Sequence, residues 1–143
     1  MAEKQIPFQI KAIITREFAT IPSAHQDGEE IGIGTGFNFG VDNENHAIAV
    51  LLDLAFECNE TPFVILKIRM EFDIMPEAFE KFKSKKSKSI TVPKGFLTHL
   101  AALAVSTSRG ILYEKLKDTD FDFLLLPALN VSEILTDDMK FDM

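Results

Sequence analysis

The sequence predicts an α+β domain: a four-stranded antiparallel sheet, then a main helix and a shorter C-terminal helix. Three observations carry this. Residues 8–74 alternate apolar and polar in four runs separated by short turns, the period of half-buried strands. After Pro76 the period becomes that of helices. No internal repeat or linker divides the 143 residues, so they read as one domain. Its sheet spans 6–75, a short helix and lysine-rich loop span 76–92, and a helical part spans 93–143.

The first strand, over 8–18, puts Phe8, Ile10, Ala12, Ile14 and Phe18 on one parity and Gln9, Lys11, Thr15 and Glu17 on the other; Ile13 and Arg16 blur the pattern. Pro22 and the polar stretch Ser23 to Glu30, with its Asp27-Gly28, end it in a loop. The second strand alternates without a break over 31–41. Ile31, Ile33, Thr35, Phe37, Phe39 and Val41 face one way; Gly32, Gly34, Gly36, Asn38 and Gly40 face the other. Such a glycine face leaves room for another backbone or an apolar ligand to lie close. Asp42 to Asn45 makes a turn. Residues 47–58 then align Ile48, Val50, Leu52, Leu54, Phe56 and Cys58, and 63–74 align Val64, Leu66, Ile68, Met70, Phe72 and Ile74. Short turns between alternating strands predict an antiparallel sheet covered on one face.

Pro76 to Phe82 fits a short helix opened by proline and acids. Lysines at 81, 83, 85, 86 and 88, mixed with serine, read as a solvated loop rather than an anion-binding patch. The main helix, over 94–117, carries Phe96, Leu100, Leu103, Thr107 and Ile111 at helical spacing. Its small residues let a second helix approach closely, so Ala101, Ala104 and Ser108 are expected at a subunit interface. Asp118 to Asp122 breaks the helix, and Leu124-Leu125-Leu126-Pro127 is expected to be extended. Asn130 with Glu133 makes a capping-box pattern that predicts a last helix through Ile134 and Leu135.

The chemistry of sites is sparse. The net charge of −7 repels nucleic-acid phosphates and anionic lipid. A single cysteine, Cys58, gives no sign of an oxidising compartment. Met1 to Gln5 shows no signal-peptide pattern and no run is long enough to span a membrane, so a cytoplasmic setting is expected. His25, His46 and His99 are not spaced with other ligands, so no metal or other cofactor is expected. Thirteen Phe with one Tyr and no Trp supply much aromatic area without polar handles, which suits a binding surface.

Two groups of residues carry a resemblance. Phe8-Gln9-Ile10-Lys11-Ala12-Ile13-Ile14-Thr15-Arg16-Glu17, followed by Pro22, resembles the opening strand of SecB-type protein-export chaperones. Ser108-Arg109-Gly110 resembles the end of that family's first long helix, and Leu126-Pro127-Ala128-Leu129-Asn130 resembles the stretch before its last helix, with one extra residue between Pro127 and Asn130. The order of elements also fits. The resemblance implies an ATP-independent holdase: an acidic, cytoplasmic homotetramer, a dimer of dimers, that binds unfolded preproteins or other unfolded clients and passes them to the SecA motor. Glu17 matches the first acidic position used for motor docking, whereas the second falls at Ile21, and the acidic tail lacks a docking pattern.

A holdase must present apolar surface to water. The expected client groove has Ile31, Ile33, Phe37 and Phe39 on one wall and Leu129, Ile134 and Leu135 on the other. The rival reading is a small-molecule binder or thioesterase-type enzyme of hot-dog form, for which His99 and Asp53 are the candidate chemistry. A helix that follows the sheet, instead of lying between its strands, counts against it.

Overall fold

A computed structural model describes residues 6–143; the reading of Met1 to Gln5 as lacking a signal lies outside them. Strands β1 (Phe8–Thr20), β2 (Ile31–Asp42), β3 (Ala47–Cys58) and β4 (Thr61–Ile74) form one antiparallel sheet in the order β1-β4-β3-β2. Helix α1 (Pro76–Glu80), strands β5 (Lys83–Ser84) and β6 (Ser89–Val92), helix α2 (Lys94–Leu116), helix α3 (Val131–Ile134) and strand β7 (Met139–Asp142) follow. The four long strands and main helix are therefore the elements expected, within two residues at each boundary. Among the described residues no helix is long and apolar enough to cross a membrane.

The core lies on the two central strands. Ile48, Val50, Leu52, Leu54 and Phe56 of β3 and Val64, Leu66, Ile68, Met70 and Phe72 of β4 are at most 3% exposed. Each such side chain contributes about 1.5–3 kcal/mol through removal from water. Helix α2 lies against this face. At its start Phe96 packs edge-on to Phe8 (5.6 Å between ring centres), and near its end Lys115 Nζ sits 5.1 Å from the Phe18 ring centre. It thus runs in the same direction as β1.

Four expectations are corrected. In β1 the parity does not persist: the register with β4 slips between Ile10 and Ala12 and between Thr15 and Glu17. These bulges turn Ala12 and Ile14, opposite Glu71 and Arg69, to the outer face, and bring Ile13, opposite Met70, to the helix side. In α2, Ala101, Ala104 and Ser108 are all fully buried within the one chain, so they face its own core and leave no surface for a second subunit. The cause is their spacing with Leu97, Leu100, Val105 and Leu112, which puts them on the sheet-facing stripe. The small residues left outside are Ala102, Ser106 and Gly110. Third, the last helix is a single turn. Asn130 makes no capping bond because its side-chain oxygen accepts from Ser132 Oγ (2.6 Å) instead.

The fourth correction concerns the lysine-rich loop and the tail, which form a second, three-stranded sheet in the order β5-β6-β7. Lys83 Nζ donates to Glu80 Oε1 (2.7 Å), and this bond holds that exposed carboxyl below the usual carboxylate range. The tail also caps the main helix. Pro93, at the N-cap, has no side-chain oxygen, and the N–H of Lys94 donates to Asp138 Oδ1 (2.8 Å).

Since Ala104 is fully buried against the sheet, Ala104→Leu should destabilise the folded chain by about 1–3 kcal/mol. Urea unfolding should show this as a lowered midpoint at unchanged slope. A neutral substitution would show that the α2–sheet seam is loose.

Candidate functional site

Strand β2 lies at one edge of the sheet and differs from the centre in how it is covered. Its residues Ile33, Phe37 and Phe39 stand opposite Phe56, Leu52 and Val50 of β3, so they extend the core face outward. Yet where the β3 residues are fully buried, Ile31, Ile33, Phe37 and Phe39 are half-buried, packed only against the margin of the core. Among the described residues the substantial contacts of β2 are with β3 alone. The result is an apolar row, interrupted by the exposed Thr35 and partly open to water.

The other face of β2 is nearly bare backbone. A Cβ added at Gly32 or Gly40 would meet nothing within 4 Å, and one at Gly36 would only reach Asp53 Cβ at 4.0 Å. At Gly34 the space is taken by the Glu57 carboxylate, 2.5 Å from that position. The free edge of β2 has no strand partner among the described residues. Unpaired N–H and C=O groups beside a half-open apolar row form a template on which another extended chain can pair and bury alternate side chains.

The expected second wall comes from the segment after α2. This segment turns back at Phe121, whose ring packs on Phe63 (5.2 Å) and on His25 (5.3 Å). Arg109 then fixes it: Nε donates to the Leu126 carbonyl (2.7 Å) and a terminal nitrogen to that of Pro127 (3.0 Å). Leu124 and Leu126 are buried while Leu125 between them is 63% exposed, the alternation of the extended segment expected there. Leu129 and Leu135 are half-buried against the core, and Ile134 is exposed. The two walls border one core, but no substantial contact joins α3 to β2 among the described residues.

Charge gathers at the start of β2. Glu29, Glu30, Glu57 and Glu60, with Gly32 and Asn59, line an open cavity of about 340 Å³. The two glutamates immediately before Ile31 were the available sequence signal for this mouth; Glu57 arrives only through the β2–β3 register, opposite Gly32. Four carboxylates there, Glu57 among them on the glycine face, favour basic segments at this end of the β2 edge.

The remaining candidates fall elsewhere. Glu17 lies on the outer face of β1, half-exposed and 3.3 Å from Lys67 Nζ. Asp53 is also on that outer face, bonded to Arg16 (2.5 Å), whereas His99 sits on α2 across the sheet with its ring 5.6 Å from that of Phe8. The structure therefore does not bring together the pair that a thioesterase-type site would use. Among the described residues no group of three His, Cys, Asp or Glu is arranged to hold a metal ion, and Cys58 is buried.

A solved structure is similar to this chain: the SecB-like chaperone Rv1957 of Mycobacterium tuberculosis, in complex with a ChAD peptide from the HigA1 antitoxin. The two superpose with a TM-score of 0.52 over 86% of this chain and 91% of that one, at 14% identity. The fold is SecB-like. At that identity the likeness concerns the fold alone. No protein-family model matches the chain, and no curated protein matches its sequence.

Among the described residues Arg109 ties the return segment to α2 through two carbonyls. Arg109→Ala should cost about 1.5–3 kcal/mol, the range for hydrogen bonds that involve a charged group. Limited proteolysis should then cut within 122–130 faster than it does in the wild type. Unchanged cleavage would mean that the leucines alone hold the segment.

Proposed function

We propose that the protein is an ATP-independent chaperone of the holdase kind, which binds unfolded segments of other polypeptides along β2. The observation that carries this is the half-buried apolar row Ile31, Ile33, Phe37 and Phe39 beside a bare, unpaired backbone edge. Leu129, Leu135 and the exposed Ile134 supply the far wall. The magnitudes suit holding rather than locking. Three side chains buried in such a row contribute about 5–9 kcal/mol, while association costs about 4–15 kcal/mol, so one segment binds weakly and a client is held at several points. The acidic mouth adds a preference for clients that carry lysine or arginine near their apolar stretches. That the similar solved chaperone holds a peptide supports the reading.

The finer form of the proposal has preproteins as clients, delivery to a SecA-like motor through Glu17, a cytoplasmic setting and a homo-oligomer built as a dimer of dimers. For assembly the supporting surface is β1, the opposite edge. Ile10 and Ile13 on its helix side are 49% and 50% exposed and Ile14 on its outer side is 42% exposed, apolar area that a second copy would cover. No observation favours the small-molecule enzyme, since its candidate residues stand on opposite faces of the sheet.

Two measurements test the proposal. The wild type should suppress aggregation of an unfolded client without nucleotide, and Phe39→Ser with Leu135→Ser should weaken this severalfold at a stability cost of about 2 kcal/mol or less. Loss of several kcal/mol, with the surviving folded fraction holding clients as before, would make these residues core and place binding elsewhere. For assembly, Ile13→Lys with Ile14→Lys should reduce the sedimenting species to a smaller one. An unaltered distribution would remove β1 from the interface.

A further inference from the structure

The three-stranded sheet, remote in sequence from β2, ends in a short edge strand held by few features. Strand β7 has four residues, and its substantial contacts among the described residues are with β6 alone. It pairs with β6 in the register Ser89–Asp142, Ile90–Phe141, Thr91–Lys140 and Val92–Met139. Met139 and Phe141 are half-buried against the core, while Lys140 and Asp142 are exposed. Beside them, as their cross-strand partners, Ile90 and Val92 are fully buried. Asp138, just before the strand, caps the first N–H of α2, an end that owns no capping side chain of its own.

Read as a ligand, residues 138–142 have a simple chemistry: a carboxylate, an apolar side chain, any residue, a second apolar side chain and a second carboxylate. The surroundings match it. Lys85, Lys86 and Lys88 are exposed in the turn between β5 and β6 and make no ion pair among the described residues, and the N–H of Met143 donates to the carbonyl of Lys88. Each feature that holds β7 is therefore one that another extended acidic segment could use: four backbone positions on β6, two apolar seats, a helix N-terminus already accepting a carboxylate, and a basic rim.

We propose that the β6 edge is a strand-addition site which the chain's own last strand occupies in cis, and that it accepts in trans, from a partner protein, an extended segment of the pattern Asp–apolar–any–apolar–acidic. Strand β7 then acts as a built-in competitor that sets how readily the partner binds. This site is separate from the β2 row and does not rest on the chaperone reading: client holding and β6 pairing are measured independently.

The probe is a fluorescent peptide with the sequence of residues 135–143, titrated by anisotropy into the full chain. It should bind the wild type weakly, because it must displace β7. It should bind the full-length variant Asp138→Ala with Phe141→Ser about tenfold more tightly, because the competitor is weakened. A peptide carrying the same two changes should bind neither. Hydrogen exchange should show the β6 amides faster in the variant and slowed again by the peptide.

A second variant keeps the test decisive if the first folds poorly. Thr91→Cys with Lys140→Cys places two thiols at paired positions across β6 and β7, within reach of a disulfide. The oxidised form should lose peptide binding and reduction should restore it. Equal binding by the oxidised and reduced forms would overturn the proposal, as would a variant whose β6 amides exchange freely yet bind no peptide. Dimers that form by tail exchange and dissolve on adding the peptide would make a second copy the occupant and also overturn the partner assignment.

Discussion

The rest of the structure depends on a mismatch of widths. A sheet of four strands spaced about 4.8 Å apart is wider than the single helix, about 10 Å across, laid on it. One helix covers roughly two strands. Burial follows that geometry: β3 and β4 carry the fully covered side chains, whereas β1 and β2, one strand further out on each side, carry apolar residues that water still reaches. The segment after α2 extends the cover with Leu124, Leu126 and Val131, yet the β2 row remains half-open. The apolar surface offered at both edges is thus a consequence of the layer arrangement, not of any one residue.

This explains what was legible in the sequence. Period-two alternation reports which residues share a face, and the inward rows read for β2, β3 and β4 are the rows found; Phe63 escapes it, buried beside Val64 where the β3–β4 register shifts. It does not report how far the cover reaches, so the β2 row and the β3 core look alike in sequence while differing in exposure. Nor does it survive a bulge: at Lys11 and Arg16 an extra residue shifts the parity of β1, and Ile13, an irregularity in the pattern, becomes a helix-side residue. In α2 small residues predict a second helix close by, but alanine also lets a helix settle close to a sheet. The carboxylate mouth was hidden because Glu57 reaches Glu29 and Glu30 only through strand register.

The short second sheet was invisible for a different reason. Strands of two and four residues bury too few side chains to establish a period, even where β6 carries the strand formers Ile90, Thr91 and Val92. What stabilises them is tertiary: Ile90 and Val92 paired with Phe141 and Met139 against the core, and one carboxylate at a helix end. The capping box at Asn130 failed by the reverse logic. Its local pattern was complete, but a nearer hydroxyl, Ser132, took the side-chain oxygen.

The two edges of the main sheet are open in different ways, and the difference assigns them different work. Strand β1 carries two bulges, and bulges twist a backbone out of the flat geometry that a further strand needs. What β1 offers is side chains, Ile10 and Ile13 toward the helix layer and Ile14 outward, a surface that only a partner of complementary shape can cover. Strand β2 pairs with β3 over twelve residues without a register shift, and glycines strip its back of side chains. It offers a regular backbone, and the groups on a regular backbone are the same whatever sequence lies against them. An edge that demands shape suits a fixed contact between copies. One that demands only extension, with a row of phenylalanine and isoleucine beside it, suits many unrelated segments.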